Sequence, residues 1–322
     1  MDSITANNSI IYFNDSCYTS VNEYVKKNNF SKIFILVDEN THELCLPNFL
    51  ERFETSSEIE IIEIESGEIN KTIDTCIGVW NTLSDLDADR KSLLINIGGG
   101  VITDLGGFVA CTFKRGIAFV NVPTTLLSMV DASVGGKTGV DLGTLKNQIG
   151  VIQSPDLVLI DTYYLNTLAT NQMRSGLAEM LKHGLISSED YWCKFQNLNK
   201  LKLEDLDLLI YESVLIKKQV VDIDPFENGL RKTLNYGHTL GHAIESYFLS
   251  SPNKTTLLHG EAIAIGMVLA SYISSELIGF PKQTTLSIKS LLTDFYGKVG
   301  FENQDIPAII NLLKYDKKNN HG

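Results

Sequence analysis

The chain has 322 residues, 43% of them hydrophobic and 20% charged, with a formal net charge of −12. That length calls for two domains of roughly 100–200 residues each, and the composition is that of a folded protein, neither disordered nor fibrous. The acidic surplus excludes nucleic acid as a partner, since such a binder needs a basic face to displace counterions from phosphates.

At the N-terminus, MDSITANNSI has neither a basic start nor an apolar core, so no secretory signal is read and a cytoplasmic location is the expectation. KIFILVDEN then predicts a buried strand, EIEIIEIES an alternating one, and KSLLINIGGG a strand ending in glycines. GIAFVNVPTT and PDLVLIDT predict two more. Strands interleaved with helical patterns give βαβ units and a parallel sheet covered on both faces, with ligands at the carboxyl ends of the strands.

From about Asn166 the strand signals vanish and helical periods take over, in LAEMLKHGLIS, LDLLIYESVLIKKQVVD, TLGHAIESYF, AIAIGMVLASYISSEL and IPAIINLLKY. A boundary near residues 162–170 follows, with an α/β domain over 1–165 and an all-α domain over 166–322. The longest apolar stretch, Ala262 to Ile273, falls short of the ~18–20 residues of a membrane span and predicts a buried helix. Polar SYFLSSPNKTTLLHG, interrupted by Pro252, predicts a loop that puts His259 just before a helix. Five scattered cysteines, Cys17, Cys45, Cys76, Cys111 and Cys193, fit reduced core thiols better than a disulfide framework.

Three groups of residues carry chemistry. INIGGGVITDLGGFVA follows a strand and opens a helix, where backbone N–H groups and the helix dipole can hold a pyrophosphate; its glycines do not follow the GxGxxG spacing, and a tight turn without a ligand is the bland alternative. Asp38, ending the first of those strands, is placed either to accept from ribose hydroxyls or to cap a helix. Lys114, Arg115, Lys137, Lys146, Lys182, Lys217, Lys218, Arg231 and Lys232 lie in or beside glycine-rich or histidine-bearing segments, pointing to a small anionic substrate unless they are solvated surface charges. Finally, His238 and His242 stand one helical turn apart, and His259 and Glu179 complete a candidate divalent-metal set with no CxxC to suggest a structural knuckle. A metal held by imidazole and carboxylate is usually catalytic.

In order and spacing, GGGVITDLGGFVACTFKRG, VPTTLLSMVDASVGGKTGVD, LKNQIG, RSGLAEMLKHG, LRKTLNYGHTLGHAIES and LLHGEAIAIGM resemble the 3-dehydroquinate synthases, from about Asp38 to the last residues. The resemblance implies a Rossmann-like nucleotide domain, a helical metal domain, usually a homodimer, and conversion of 3-deoxy-D-arabino-heptulosonate 7-phosphate in the shikimate pathway. NAD and zinc, with cobalt as the alternative, are the implied cofactors.

It further implies Glu179, His238 and His259 as ligands, with His242 facing the phosphate, although spacing alone would let His242 bind the metal. Around NAD it places Asp38, Asn40, Glu68, Lys71, Gly99, Gly100, Val101, Asp104, Thr124, Thr125, Lys137, Lys146, Thr167 and Leu168. Around the substrate it places Asp131, Lys137, Lys146, Asn147, Lys182, Lys217, Arg231, Asn235, His242 and Lys318, with Arg115 reaching across the dimer. Arg231 is the expected carboxylate partner, because its planar fork suits bidentate binding. His42, His183 and His321 are expected to be surface or capping residues.

Members of the family continue past the DKK block, so a truncated C-terminal tail is expected. Rival readings are another NAD- and metal-dependent sugar-phosphate cyclase, whose substrate would leave Arg231 and Lys217 without a carboxylate, a polyol dehydrogenase, or an inactive scaffold.

Overall fold

The computed structural model describes residues 1–6, 8–143, 145–196 and 202–313. In chain order its elements begin with β1 (Ile4–Ala6), β2 (Ser9–Phe13), α1 (Asp15–Asn28), β3 (Ile33–Asp38), α2 (Glu39–Leu44), α3 (Leu46–Arg52) and β4 (Ile59–Ile64). There follow α4 (Ile73–Asp85), β5 (Leu93–Gly98), α5 (Gly100–Thr112), β6 (Ala118–Pro123), β7 (Lys137–Leu142), β8 (Leu145–Ile152) and β9 (Leu157–Ile160). The rest is helical: α6 (Thr170–Ser187), α7 (Glu189–Cys193), α8 (Leu203–Ile223), α9 (His238–Ser250), α10 (His259–Ile278), α11 (Lys282–Tyr296) and α12 (Asp305–Leu313). Two compact units result: Met1–Ala169 with Leu206–Asp222, and Thr170–Asp205 with the chain from Ile223 onward.

The first unit is built on a seven-stranded sheet in the order β1-β2-β9-β6-β5-β3-β4, parallel throughout except for the β1–β2 pair. Ile33 through Val37 are fully buried, the continuous apolar run of a strand covered on both faces. By contrast β4, at the edge, mixes glutamates among its isoleucines and buries only Ile62. All five strands expected from the sequence are present. The chain runs outward from β3 to β4 and then returns to lay β5 on the other side of β3, so the sheet reverses direction between β3 and β5. Asp38 and Gly98 end those two strands. Ligands of open α/β sheets bind at such a switch point.

Helix α5 seats Ile102, Leu105, Phe108 and Val109 in one core with Leu36, Leu94 and Phe119. It lies so close to the sheet that a Cβ on Gly106 would fall 2.0 Å from Asn96 Oδ1. The second glycine pair of the INIGGG segment is therefore a packing device. The antiparallel hairpin β7–β8 and the N-terminal pair β1–β2 were not legible in the sequence. β8 is exposed or half-buried along its length, so it shows no apolar alternation, and β1 and β2 are very short.

Helix α8 belongs to the sheet unit despite its late position in the chain. Its Leu206, Leu209, Ile210 and Val214 are buried, Tyr211 meets Phe13 edge-on at 5.0 Å, and Asp207 accepts a hydrogen bond from Asn14.

Helices α6, α7 and α9 to α12 form the second unit. Among the described residues α10 alone is long and apolar enough to cross a membrane. Its Gly260, Ala262, Ile263, Ala264, Gly266 and Met267 are buried, as expected for the first half of the Ala262–Ile273 stretch, whereas Leu269, Tyr272 and Ile273 within that stretch, and Leu277 and Ile278 at the helix end, are exposed. Ala243, Ile244 and Phe248 of α9 share a small core with Ile309 of α12. Helix α11 went unforeseen because threonine, serine and lysine dilute its apolar period. The cysteines are all free thiols, with Cys17, Cys45 and Cys76 buried.

Candidate active site

In the helical unit, glycines bring the histidines together. A Cβ on Gly266 of α10 would lie 2.0 Å from the carbonyl oxygen of Gly237, and one on Gly260 would lie 2.4 Å from Ser175 Cα on α6. Three helices thus approach backbone to backbone where His238, His242, His259 and Glu179 project. Ser175 Oγ fastens the start of α10 by accepting from Gly260 N–H at 2.9 Å. His259 is the first residue of that helix and not the last of the loop before it.

Donor atoms of His238, His242 and His259 lie within 4.8 Å of one another. Glu179 is fully buried. Its Oε2 accepts from the Lys182 ammonium, while its Oε1 accepts no aligned hydrogen bond, although His238 Nε2 lies 3.3 Å away and His259 Nε2 3.8 Å away. A buried carboxylate oxygen without a partner is costly, and two imidazole nitrogens converging on it without bonding to it describe a place for a cation. These residues fit a divalent metal.

For Glu179 and His238 the electrostatics agree. Burial alone would raise the Glu179 carboxyl, but the Lys182 ammonium and then His238 hold it well below the usual carboxylate range. Burial pushes the His238 imidazole down, favouring the neutral form that coordinates. For His259 burial is outweighed by the Glu179 and Glu245 carboxylates nearby, which carry its imidazole up to about 9, so a metal there competes with a proton for Nε2.

Arg231 is buried, and its guanidinium donates to the Pro225 carbonyl at 2.6 Å. The loop that carries it is closed by Asp224, whose carboxylate accepts from the backbone N–H groups of Asn228, Gly229 and Arg231. Asn235 donates to Glu227 at 2.5 Å. His183, expected at the surface or at a cap, is instead fully buried on α6, because it falls within the buried run from Ser175 to Gly184. His42 is a surface residue paired with Glu63, as expected.

In the sheet unit, Gly99 precedes α5 without a side-chain cap, and the first turn of that helix has no acidic residue. A Cβ on Gly99 would lie 3.0 Å from Thr125, whereas Gly100 faces open space. A helix start with no side-chain cap and open space at Gly100 suits a phosphate. Lys71 is buried one-sidedly between Asp104 Oδ2 and Asn147 Oδ1, each at 2.7 Å. Burial works against its ammonium, but Asp104 and Glu68 hold its pKa above the usual value. Asn147 sits in the left-handed region at φ 52°, with its N–H on Asp141 at 2.6 Å. Lys146 reaches Glu68 at 3.7 Å. Lys217 of α8 donates to Asp131 Oδ1 at 2.5 Å.

Asp38 caps α2, accepting from Thr41 N–H at 2.8 Å. Of the two readings of Asp38 open in the sequence, capping is the one its contacts display. Thr124 is buried just past β6, and its N–H bonds to the Gly98 carbonyl. Asn40 lies in the first turn of α2, Val101 in that of α5, and Thr167 and Leu168 follow β9 in a short helical turn. Lys137 opens β7 with an exposed side chain, and Arg115 is exposed with φ 71°. Lys318 lies outside the described residues.

Sequence reasoning missed Glu245, Glu227, Asp224 and Asp141, which orient other site residues. For Glu245 a signal existed: it follows His238 by seven positions and His242 by three, which is one face of a helix.

The sequence model of the 3-dehydroquinate synthase N-terminal domain matches residues 61–175, and that of the C-terminal domain matches residues 176–319. A 3-dehydroquinate synthase of Parabacteroides distasonis is 40% identical over 306 residues, 94% of this chain and 86% of the relative. One of Clostridium perfringens is 42% identical over 82% of this chain and 75% of its own length. Among solved structures, 2-deoxy-scyllo-inosose synthase complexed with carbaglucose-6-phosphate, NAD+ and Co2+ superposes with a TM-score of 0.86 at 26% identity, over 99% of this chain and 88% of that one. A 2-epi-5-epi-valiolone synthase of Streptomyces hygroscopicus, at 22% identity and a TM-score of 0.80 over 98% and 88%, shares the fold. With both domain models matched end to end and relatives this similar over most of its length, the chain belongs to the 3-dehydroquinate synthase family.

Proposed function

We propose that the chain converts 3-deoxy-D-arabino-heptulosonate 7-phosphate to 3-dehydroquinate and inorganic phosphate, a lyase reaction that borrows and returns a hydride. The convergence of His238 and His259 on the unpaired, buried Oε1 of Glu179 supports this most strongly. When bound, NAD accepts and later returns the hydride, and a zinc or cobalt ion acidifies the alcohol that is oxidised.

Glu179, His238 and His259 are assigned as ligands, three protein donors leaving the open positions a catalytic metal needs. His242 is then kept for the substrate phosphate. Lys182, by neutralising Glu179 Oε2, leaves Oε1 for the ion and contributes positive charge to the substrate region. Arg231 binds the carboxylate; the Pro225 carbonyl fixes one edge of its fork, so little rotamer freedom is lost on binding. Asn235, His242, Arg115 of a partner in a homodimer, and Lys318 hold the phosphate, and two anchored ends orient the middle. Lys217 holds Asp131, the acceptor for a substrate hydroxyl, by an ion pair. Lys137, Lys146 and Asn147 supply further polar contacts. Phosphate leaving next to a carbonyl can take up the proton itself, so a site rich in cations and poor in free carboxylates is sufficient.

On the nucleotide side, Gly99, Gly100 and Val101 present amides to the pyrophosphate. Lys71 neutralises Asp104 beside that turn, removing what would otherwise repel an anion. Asp38, Asn40, Glu68 and Lys71 face the adenosine, and Thr124, Thr125, Thr167 and Leu168 complete the pocket. The free cysteines suit a reducing compartment, and the proposal places the enzyme in the cytoplasm.

The reading is tested by measuring phosphate release from 3-deoxy-D-arabino-heptulosonate 7-phosphate beside release from sedoheptulose 7-phosphate, which lacks the carboxylate, each with and without EDTA. Release from the acid alone, abolished by the chelator, is expected. Equal release from both substrates, or release untouched by EDTA, contradicts it.

A further inference from the structure

Both histidines assigned as ligands offer Nε2 to Glu179 because their Nδ1 atoms are engaged elsewhere. His238 Nδ1 lies 3.3 Å from the Tyr236 carbonyl oxygen. A carbonyl only accepts, so Nδ1 carries the hydrogen and Nε2 keeps a lone pair. His259 achieves the same end differently: its Nδ1 lies 3.3 Å from Glu245 Oε2, and an ionised carboxylate likewise only accepts.

Glu245 is buried on α9, on the face that also carries His238 and His242. Burying a carboxylate there is expensive unless it bonds to something. The ring it contacts is set at definite angles, with the His259 plane tilted 67° from His238 and 37° from His242. Nothing in the His259 backbone dictates that tilt, since rotation about the bond to its ring is soft.

We propose that Glu245 is a positioning residue for the metal centre, fixing the tautomer and ring plane of His259 so that Nε2 points at the ion. The inference rests on the metal reading above and extends it to a residue that touches neither ion nor substrate. Carboxylates behind ligating imidazoles also raise ligand basicity, and their loss weakens metal binding by about 10–100-fold.

The test uses the full chain and the metal alone. Dissociation constants for Zn2+ are measured by chelator competition for wild type, Glu245→Ala and Glu245→Gln, together with the visible spectrum of the Co2+-loaded proteins and the melting temperature of the metal-free forms. A glutamine oxygen still accepts from Nδ1–H. The expected result is binding about 10–100-fold weaker in Glu245→Ala, with an altered Co2+ spectrum, and recovery of most of the affinity in Glu245→Gln.

Unchanged Zn2+ affinity in Glu245→Ala, or a glutamine variant as weak as the alanine one, overturns the proposal. A drop in metal-free melting temperature with unchanged affinity also overturns it, by reducing Glu245 to a structural role. If wild type binds no metal, the underlying metal reading fails along with it, an outcome distinct from wild-type binding that Glu245→Ala leaves intact.

Discussion

The metal centre of the helical unit is made of side chains, whereas the nucleotide turn of the sheet unit is made of backbone. Glu179, His238 and His259, the proposed ligands, would each contribute a side-chain oxygen or nitrogen. Gly99 and Gly100 supply only amides and the absence of a Cβ. Losing one side chain should therefore abolish the first site outright, while the second should yield only to added bulk. The two sites should also fail independently.

The largest expected effect comes from His238→Ala. Removing a ligand outright should exceed the 10–100-fold seen for outer partners, so metal content and phosphate release should both fall by more than ~100-fold. NAD affinity, measured by fluorescence or calorimetry, should stay at the wild-type value; a parallel loss of NAD binding would break the comparison.

Arg231→Ala comes next, with kcat/KM for the carboxylate-bearing substrate reduced by about 2–4 kcal/mol, the scale for stripping one partner from a desolvated charge pair. Circular dichroism must show the fold retained, and unchanged kinetics would remove Arg231 from the carboxylate.

Gly99→Val sharpens the comparison from the other side. Methyl groups added where even a Cβ meets Thr125 at 3.0 Å should intrude on the phosphate-facing turn. A cost of roughly 1–2 kcal/mol in helix-terminus binding should raise the NAD dissociation constant while leaving zinc binding untouched.

The smallest effect concerns stability away from both sites. Hydrogen bonds from Lys254, Tyr247 and the Glu302 N–H hold the Asp305 carboxyl down to about 2. A depressed carboxyl stabilises the fold fully above its unfolded pKa, near ~4, and loses that contribution as pH falls through about 2. Asp305→Asn should lower the melting temperature at neutral pH and fall less steeply than wild type between these limits.

The same contrast governs what could be read in the sequence. The apolar runs around Ile33–Asp38, Leu93–Gly98 and Ala118–Pro123 identified the parallel sheet directly, since strands buried on both faces need continuous apolar residues. Histidine spacing likewise pointed to the cluster of His238, His242 and His259, whose donor atoms the structure brings within 4.8 Å of one another. The β7–β8 hairpin was hidden because β8 is exposed or half-buried along its length, and α8 gave no sign in its sequence that it packs with the sheet unit. Glu245 was missed because attention to ligand atoms passes over the groups behind them. Gly99 and Gly100 were legible as the opening of a helix, whereas the role of Gly106, which lets that helix lie against Asn96, was not.

The central claim, that both sites serve one reaction in which NAD is returned, is met most directly by counting turnovers per NAD. Phosphate released from 3-deoxy-D-arabino-heptulosonate 7-phosphate is measured with NAD far below substrate, while absorbance at 340 nm is followed in the same cuvette. Many phosphates per NAD with no lasting rise in NADH is the predicted result. Release that halts at one equivalent with NADH accumulating would make the chain a simple dehydrogenase and contradict the account.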